Sequence, residues 1–330
     1  MPDLTGILLV VVILALLFDF TNGWHDSANA IATVVSTRVL TPFAAVLMAG
    51  VLNVAGAFLS TAVAKTVGAG IVDPAAIDQV VVASAMGGAI LWNVCTLLLG
   101  LPTSSSHALI GGLVGAAFVH GGGKVIKFSG LQSVLKAMVL SPLFGFAVGM
   151  SVMLMVTWLF FRSPRPFALR LFSRLQVLSA GFMAFSHGAN DAQKVMGIIT
   201  LALLSAGKIP TAEVPTWVII ACAAAMGLGT VLGGWKIVRT LGMRILKLEP
   251  VHGFAAETSA AAVLLVTAQI GLPVSTTHTI TSSVMGVGVI KRLSAVRWGV
   301  TARIVYAWLF TLPGAGLLAM LIYATLSRLL

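Results

Sequence analysis

Long apolar runs, separated by short polar segments, occupy most of the chain. The clearest runs lie at 6–18, 80–99, 139–161 and 214–232, and none of them alternates strictly between apolar and polar residues. An α-helix needs roughly 20 apolar residues to cross a bilayer. The strands of a membrane barrel would instead alternate with a period of two. The pattern therefore predicts an all-α polytopic membrane protein.

Three segments of the first half recur in the same order in the second half. GLPTSSSHALIGGLVG at 100–115 matches GLPVSTTHTITSSVMG at 271–286, FTNGWHDS at 20–27 matches FSHGANDA at 185–192, and AKTVG at 64–68 matches VRTLG at 238–242. Ordered matches of this kind indicate homologous halves. We expect a first transmembrane repeat at 1–161, a short basic cytoplasmic linker at 162–174, and a second transmembrane repeat at 175–330.

Each half is predicted to cross the membrane about five times. An odd number of crossings makes the second half enter from the opposite side, which gives two inverted-topology repeats. The expected crossings are roughly 5–36, 43–64, 79–100, 103–120 and 131–161, then 175–206, 215–235, 254–271, 273–290 and 299–326.

Composition and charge agree with a membrane location. The chain is 58% hydrophobic and 9% charged, whereas soluble domains carry about 25% charged residues. Its net charge of +11 fits basic cytoplasmic loops better than nucleic-acid binding. With the linker in the cytoplasm, most Lys and Arg residues fall inside, and both termini are predicted outside. Two distant cysteines in apolar runs, Cys95 and Cys222, predict buried free thiols.

Four acids fall within predicted spans: Asp19, Asp26, Asp191 and Glu257. A charge at membrane depth costs at least about 2.5–3.5 kcal/mol, so such residues pair, line water or bind a ligand. Asp26 and Asp191 occupy matching repeat positions among amides and imidazoles, which favours a binding site. For Asp19 we favour structural pairing. Glu257 fits a proton or ion ligand or a structural carboxylate, and Lys194 could simply neutralise Asp191.

The paired Pro-x-Ser-Ser/Thr-Ser/Thr-His motifs predict two helices that begin inside the membrane. Ser and Thr are good helix N-caps, and free N–H groups at a helix N-terminus bind anions. The hydroxyl groups at 104–106 and 275–277 add donors. Two roles are open for His107 and His278. They could contact the substrate or sense protons, or they could only form a hydrogen bond with a neighbouring carbonyl. Gly23 and Gly188 predict breaks in the first helix of each half, which would expose carbonyls to a cation.

The segments GWHDSANAIAT, FSHGANDAQK, SSSH and STTH resemble the inorganic phosphate transporter (PiT) family, and bacterial low-affinity phosphate permeases in particular. The resemblance spans the chain and implies an inverted-repeat carrier of phosphate with protons or sodium, located in the bacterial inner membrane. Two positions depart from the family pattern. His25 precedes Asp26 where Asn is usual, and Lys65 replaces a Glu of the sodium-coupled animal members, which favours protons.

The motifs and the resemblance together give a set of candidate site residues. The expected phosphate ligands are Ser104, Ser105, Ser106, Ser275, Thr276, Thr277, Asn29, Gln193 and Lys194. The expected coupling-cation residues are Asp26, Asn190, Asp191, Asn22 and Glu257, with Na⁺ as an alternative ion at Asp26 and Asp191. Supporting roles are expected for His25, His107, His187 and His278. No cofactor is expected, and a homo-oligomer is left open.

The sequence favours phosphate symport over three alternatives. A sulfate permease of the same fold remains the main one, because some bacterial relatives carry sulfate. A membrane-embedded hydrolase is disfavoured since the Ser and His residues belong to one short helix start. A passive anion channel is disfavoured because paired acids would repel an uncompensated anion. We therefore expect a transporter and not an enzyme.

Overall fold

The computed structural model describes residues 4–329. Residues 1–3 of the first predicted repeat and residue 330 of the second lie outside the described residues. Its twelve described α-helices are α1 Leu4–Ser36, α2 Pro42–Ala57, α3 Ala62–Gly70, α4 Gln79–Leu99, α5 Ser105–Gly121, α6 Phe128–Leu159, α7 Arg165–Ser205, α8 Thr216–Leu232, α9 Trp235–Arg239, α10 Pro250–Gln269, α11 Thr276–Lys291 and α12 Trp298–Leu329. A π-helical turn, Thr240–Arg244, directly continues α9. The fold is thus all-helical over the described chain, as predicted.

Fewer helices meet the length and hydropathy of a membrane span than the ten crossings expected. Six do so alone, and eight do if the bent pairs α2–α3 and α8–α9 each count as one span. α11 has only 16 residues, many of them Ser and Thr. α7 is 41 residues long but carries a polar centre. This helix begins at Arg165, so most of the basic segment predicted as a linker is helical.

The predicted breaks at Gly23 and Gly188 are wrong, because α1 and α7 run through both glycines without interruption. These glycines instead allow close helix packing. A Cβ atom at Gly23 would lie 2.2 Å from the carbonyl oxygen of Met226, and one at Gly188 would lie 2.1 Å from that of Asn53. The chain bends elsewhere, by 76° between α2 and α3 and by 60° between α8 and α9.

The two halves of the chain interlock along their helices. α1 packs on α8 and α7 packs on α2, while α5 packs on α12 and α6 on α11. Glycines permit the same approach at matching places. A Cβ atom at Gly56 would lie 2.0 Å from the Phe185 carbonyl oxygen, and one at Gly229 would lie 2.0 Å from the Phe20 carbonyl oxygen. The buried hydrophobic core therefore combines residues from both halves of the chain.

Candidate anion and cation site

Helices α5 and α11 begin in the interior of the protein, as the Ser/Thr motifs predict. The hydroxyl of Ser104 accepts a hydrogen bond from the His107 N–H at 3.2 Å, and that of Ser275 accepts one from the His278 N–H at 3.2 Å. The imidazoles that follow are in edge contact, with ring centroids 4.6 Å apart. Two positive helix ends therefore approach each other away from water.

The hydroxyl groups on these helix starts are bound by matching residues of the long helices. Asn29 Nδ2 donates to Thr277 Oγ1 at 2.9 Å and to Thr276 Oγ1 at 3.3 Å. Lys194 Nζ donates to Ser106 Oγ at 2.6 Å and also to the Val274 carbonyl at 2.8 Å. α1 and α7 thus each contact the Ser/Thr motif of the opposite half of the chain. All five side chains are buried.

Asp26 and Asp191 lie together beside these donors. Asp191 binds Lys194 directly, accepts from Thr276 at 3.0 Å and lies 3.3 Å from His187 Nε2. Asp26 lies 2.6 Å from His25 Nδ1 and 3.5 Å from Thr277 Oγ1.

Ligand atoms of Asp26, His187 and Asp191 all lie within 4.8 Å of one another. Carboxylate oxygens suit a hard cation, and an imidazole between carboxylates suits proton exchange.

Asn53 and Thr96, which contact the histidines beside these acids, were missed from the sequence. Asn53 Oδ1 lies 2.9 Å from His187 Nδ1, and Asn53 Nδ2 donates to Thr230 at 2.8 Å. This chain of contacts fixes the His187 ring so that Nε2 faces Asp191. Asn53 is the one amide in the otherwise apolar α2, and this isolated polar position could have identified it from the sequence as a site residue. His25 is held likewise, with Nε2 3.2 Å from Thr96.

Gln193 and Glu257 have hydrogen-bond partners other than the acids and the helix starts. The Gln193 amide is occupied by backbone, because its Oε1 accepts from the Val63 N–H at 2.9 Å and its Nε2 donates to Ala189. Glu257 is fully buried and accepts hydrogen bonds from Thr33, Ser179 and Gln176. Thr33 lies two helical turns beyond Asp26 on α1, which is roughly 10 Å.

Several predicted residues are buried with polar atoms that have no hydrogen-bond partner in the described structure. Buried polar groups normally have partners, so these atoms are available to a ligand, an ion or water. The atoms are Asn22 Oδ1, Asn29 Oδ1, Ser105 Oγ, both ring nitrogens of His107 and His278, and both amide atoms of Asn190.

A family model for phosphate transporters, the PHO4 family, matches residues 22–319. The chain belongs to this phosphate transporter family. It is 49% identical to a probable low-affinity inorganic phosphate transporter of Rhizobium meliloti, over 98% of this chain and 96% of the relative. It is 44% identical to a protein of Bacillus subtilis with the same description, over 97% of both chains. These relatives are transporters and not enzymes.

The fold agrees with the family. A solved structure described as the sodium-dependent phosphate transporter superposes with a TM-score of 0.91 at 25% identity, covering 98% of this chain and all of that one. The resemblance inferred from the repeated motifs is thereby confirmed. The chain is a multi-pass membrane protein of a family of phosphate transporters.

Proposed function

We propose that the protein imports inorganic phosphate across the bacterial inner membrane by cation symport, through alternating access. The observation that carries this proposal is the meeting of two buried helix N-termini with the group formed by Asp26, His187 and Asp191. Donors for an anion and acceptors for a cation lie side by side in one dehydrated place. A passive anion pore has no need of the acceptors.

Phosphate fits the donor side of this site. The hydroxyls of Ser106, Thr276 and Thr277 are already oriented by Lys194, Asn29 and Asp191, and Ser104 and Ser275 cap the helices that supply N–H donors. The unpartnered hydroxyl of Ser105 adds a further donor. Hydrogen phosphate can also donate to a nearby carboxylate, whereas sulfate can only accept. The acids beside the site therefore favour phosphate, as do the names of the relatives.

The coupling cation is proposed to bind between Asp26 and Asp191. Phosphate brings one to two negative charges into a buried site, and an accompanying cation offsets the cost of that burial. We favour protons, because Lys65 stands where sodium-coupled animal members have a Glu. The sodium-dependent relative makes Na⁺ the alternative. Asn190 precedes Asp191 in the chain and is buried with both amide atoms unpartnered, which supports its role as a cation ligand, whereas Gln193 and Glu257 have other hydrogen-bond partners.

Alternating access is proposed to use the two halves, 1–161 and 175–330, as inverted repeats with both termini outside. Matched contacts support this proposal. Thr66 donates to the Gly271 carbonyl at 2.8 Å, and Thr240 donates to the Gly100 carbonyl at 2.9 Å. The bent segment of each half, α2–α3 or α8–α9 with its π-helical turn, therefore contacts the loop that precedes the Ser/Thr motif of the other half. Breaking one contact at a time would open the buried site to one side of the membrane.

Charge removal at the acids tests the proposal. Asp26→Asn and Asp191→Asn should each abolish phosphate uptake by proteoliposomes that contain equal amounts of folded protein. Asp73→Asn is the matched control, since Asp73 caps a short turn outside the helices. Wild-type rates in both site variants would remove these acids from the mechanism.

A further inference from the structure

Asp19 is a buried acid that the proposed site does not use. It lies on α1 with none of its surface exposed, and neither carboxylate oxygen has a hydrogen-bond partner. No ion pair of the described residues includes it. The structural pairing expected from the sequence is therefore not found. An isolated, dehydrated carboxylate is strongly unfavourable, so its charge must be neutralised by something other than a neighbouring side chain.

The surroundings of Asp19 supply a second oxygen. Asn22, one helical turn along, is buried and its Oδ1 is also unpartnered. The thiol of Cys222 on α8 is the other close polar group, but a thiol is a poor ligand for a hard cation. Both Asn22 and Cys222 interact with the carboxylate, but neither carboxylate oxygen meets the geometry of a hydrogen bond with any side chain. Three free oxygen atoms thus lie in one buried place.

This place is continuous with the central site. Asp19, Asn22, Asp26 and Asn29 follow one another at spacings of three, four and three residues, so they share one face of α1. Seven residues of helix separate Asp19 from Asp26 by roughly 10 Å. The charge of Asp191 acts on Asp19 as well. A cation at either acid is therefore coupled electrostatically to the other place.

We propose that Asp19 and Asn22 bind a second monovalent coupling cation, H⁺ or Na⁺, separate from the cation at Asp26 and Asp191. This inference rests on the proposed symport. Two cations would offset both charges of hydrogen phosphate, which one cation cannot do. A purely structural acid would be paired, and its replacement would weaken the fold. An acid that serves to bind a cation instead lowers the stability of the empty protein, so its replacement by asparagine or leucine should raise that stability.

Other titratable groups near this part of α1 are few and can be separated from Asp19 by substitution. Asp191 on α7 and Cys222 on α8 act on Asp19, and His25 and Asp26 follow it along α1 itself. α2 contains no titratable residue, and the one on α4, Cys95, is exposed, which corrects the burial expected for both thiols.

The test measures how steeply phosphate uptake depends on each cation. Proteoliposomes containing the wild type, Asp19→Asn, Asp19→Glu or the control Asp73→Asn are given subsaturating Na⁺ at fixed pH, or a pH series without Na⁺. If two cations are needed, a tenfold rise in the coupling cation should raise wild-type uptake by about 100-fold, and that of Asp19→Asn by only about tenfold. Asp19→Glu should restore most of the steepness. The cation whose dependence changes is the occupant.

Measurements of the unfolding temperature and of wild-type uptake distinguish failure of the second cation site from failure of the symport proposal. Asp19→Asn and Asp19→Leu should unfold at or above the wild-type temperature, because each removes an unpartnered buried charge. Wild-type steepness in Asp19→Asn, or a clear loss of stability in both variants, would overturn the second site and leave the symport proposal standing. No phosphate uptake by the wild type would overturn both.

Discussion

Lys194 joins three parts of the proposed phosphate site, and its removal has a calculable effect. Its ammonium group contacts Asp191, the hydroxyl of Ser106 and the carbonyl of Val274. Lys194→Met keeps the length of the side chain and deletes the charge. Asp191 is then left fully buried with only Thr276 and His187. Removing one partner of a buried ion pair costs about 3–5 kcal/mol, so we expect a loss of that size in the free energy of unfolding.

A double-mutant cycle separates the ion pair from general packing. Unfolding in mixed detergent micelles would be measured for Lys194→Met, Asp191→Asn and the double variant, with Lys208→Met as the exposed control. The double variant should recover much of the loss, because it no longer buries an unpaired carboxylate. In uptake, Lys194→Met should raise the half-saturating phosphate concentration, since a charged hydrogen bond contributes about 1.5–3 kcal/mol. A loss below about 1 kcal/mol, with effects additive to within about 0.5 kcal/mol, would refute the reasoning.

Three further predictions concern the frame of the site. Gly56→Ala should destabilise by about 1–3 kcal/mol or more, since its Cβ would lie 2.0 Å from the Phe185 carbonyl; Gly299→Ala, which meets nothing within 4 Å, should leave the unfolding midpoint unchanged. Ser104→Ala and Ser275→Ala should each cost about 1 kcal/mol through loss of the helix cap and slow uptake, whereas equal losses without slower uptake would make the caps purely structural. Burial raises the pKa of the Glu249 carboxyl, but the hydrogen bond and charge of Lys291 outweigh it and hold this pKa below its ordinary value. The pair therefore stabilises the protein at neutral pH and loses this contribution as the pH falls through the range of a glutamate; Lys291→Gln should flatten that acid-side decline, and an unchanged decline would contradict it.

The helix starts at the Ser/Thr motifs could be predicted from the sequence because their determinants are local. Ser104 and Ser275 cap the N–H three residues ahead, and no distant contact is needed to specify that geometry. The proximity of Asp26 and Asp191 could be predicted from the repeat alone, because matching positions on two crossing helices approach each other near the crossing point.

The continuity of α1 and α7 could not be predicted locally. A glycine at membrane depth permits either a broken helix or close packing, and the choice at Gly23 depends on the Met226 backbone, which is about 200 residues away in the sequence. The partners of Gln193 and Glu257 depend in the same way on distant contacts. The unpartnered state of Asp19 has no sequence signal at all, because it reflects what the packed helices fail to provide.

Phosphate uptake driven by an imposed ion gradient tests the central claim most directly. Proteoliposomes containing the wild type would receive radiolabelled phosphate under an inward proton gradient, and separately under an inward sodium gradient, each with and without excess unlabelled sulfate. We predict accumulation driven by the proton gradient that sulfate does not inhibit. Sodium-driven accumulation alone would keep the symport and change the ion. Uptake that follows neither gradient, or that sulfate abolishes, would contradict the account.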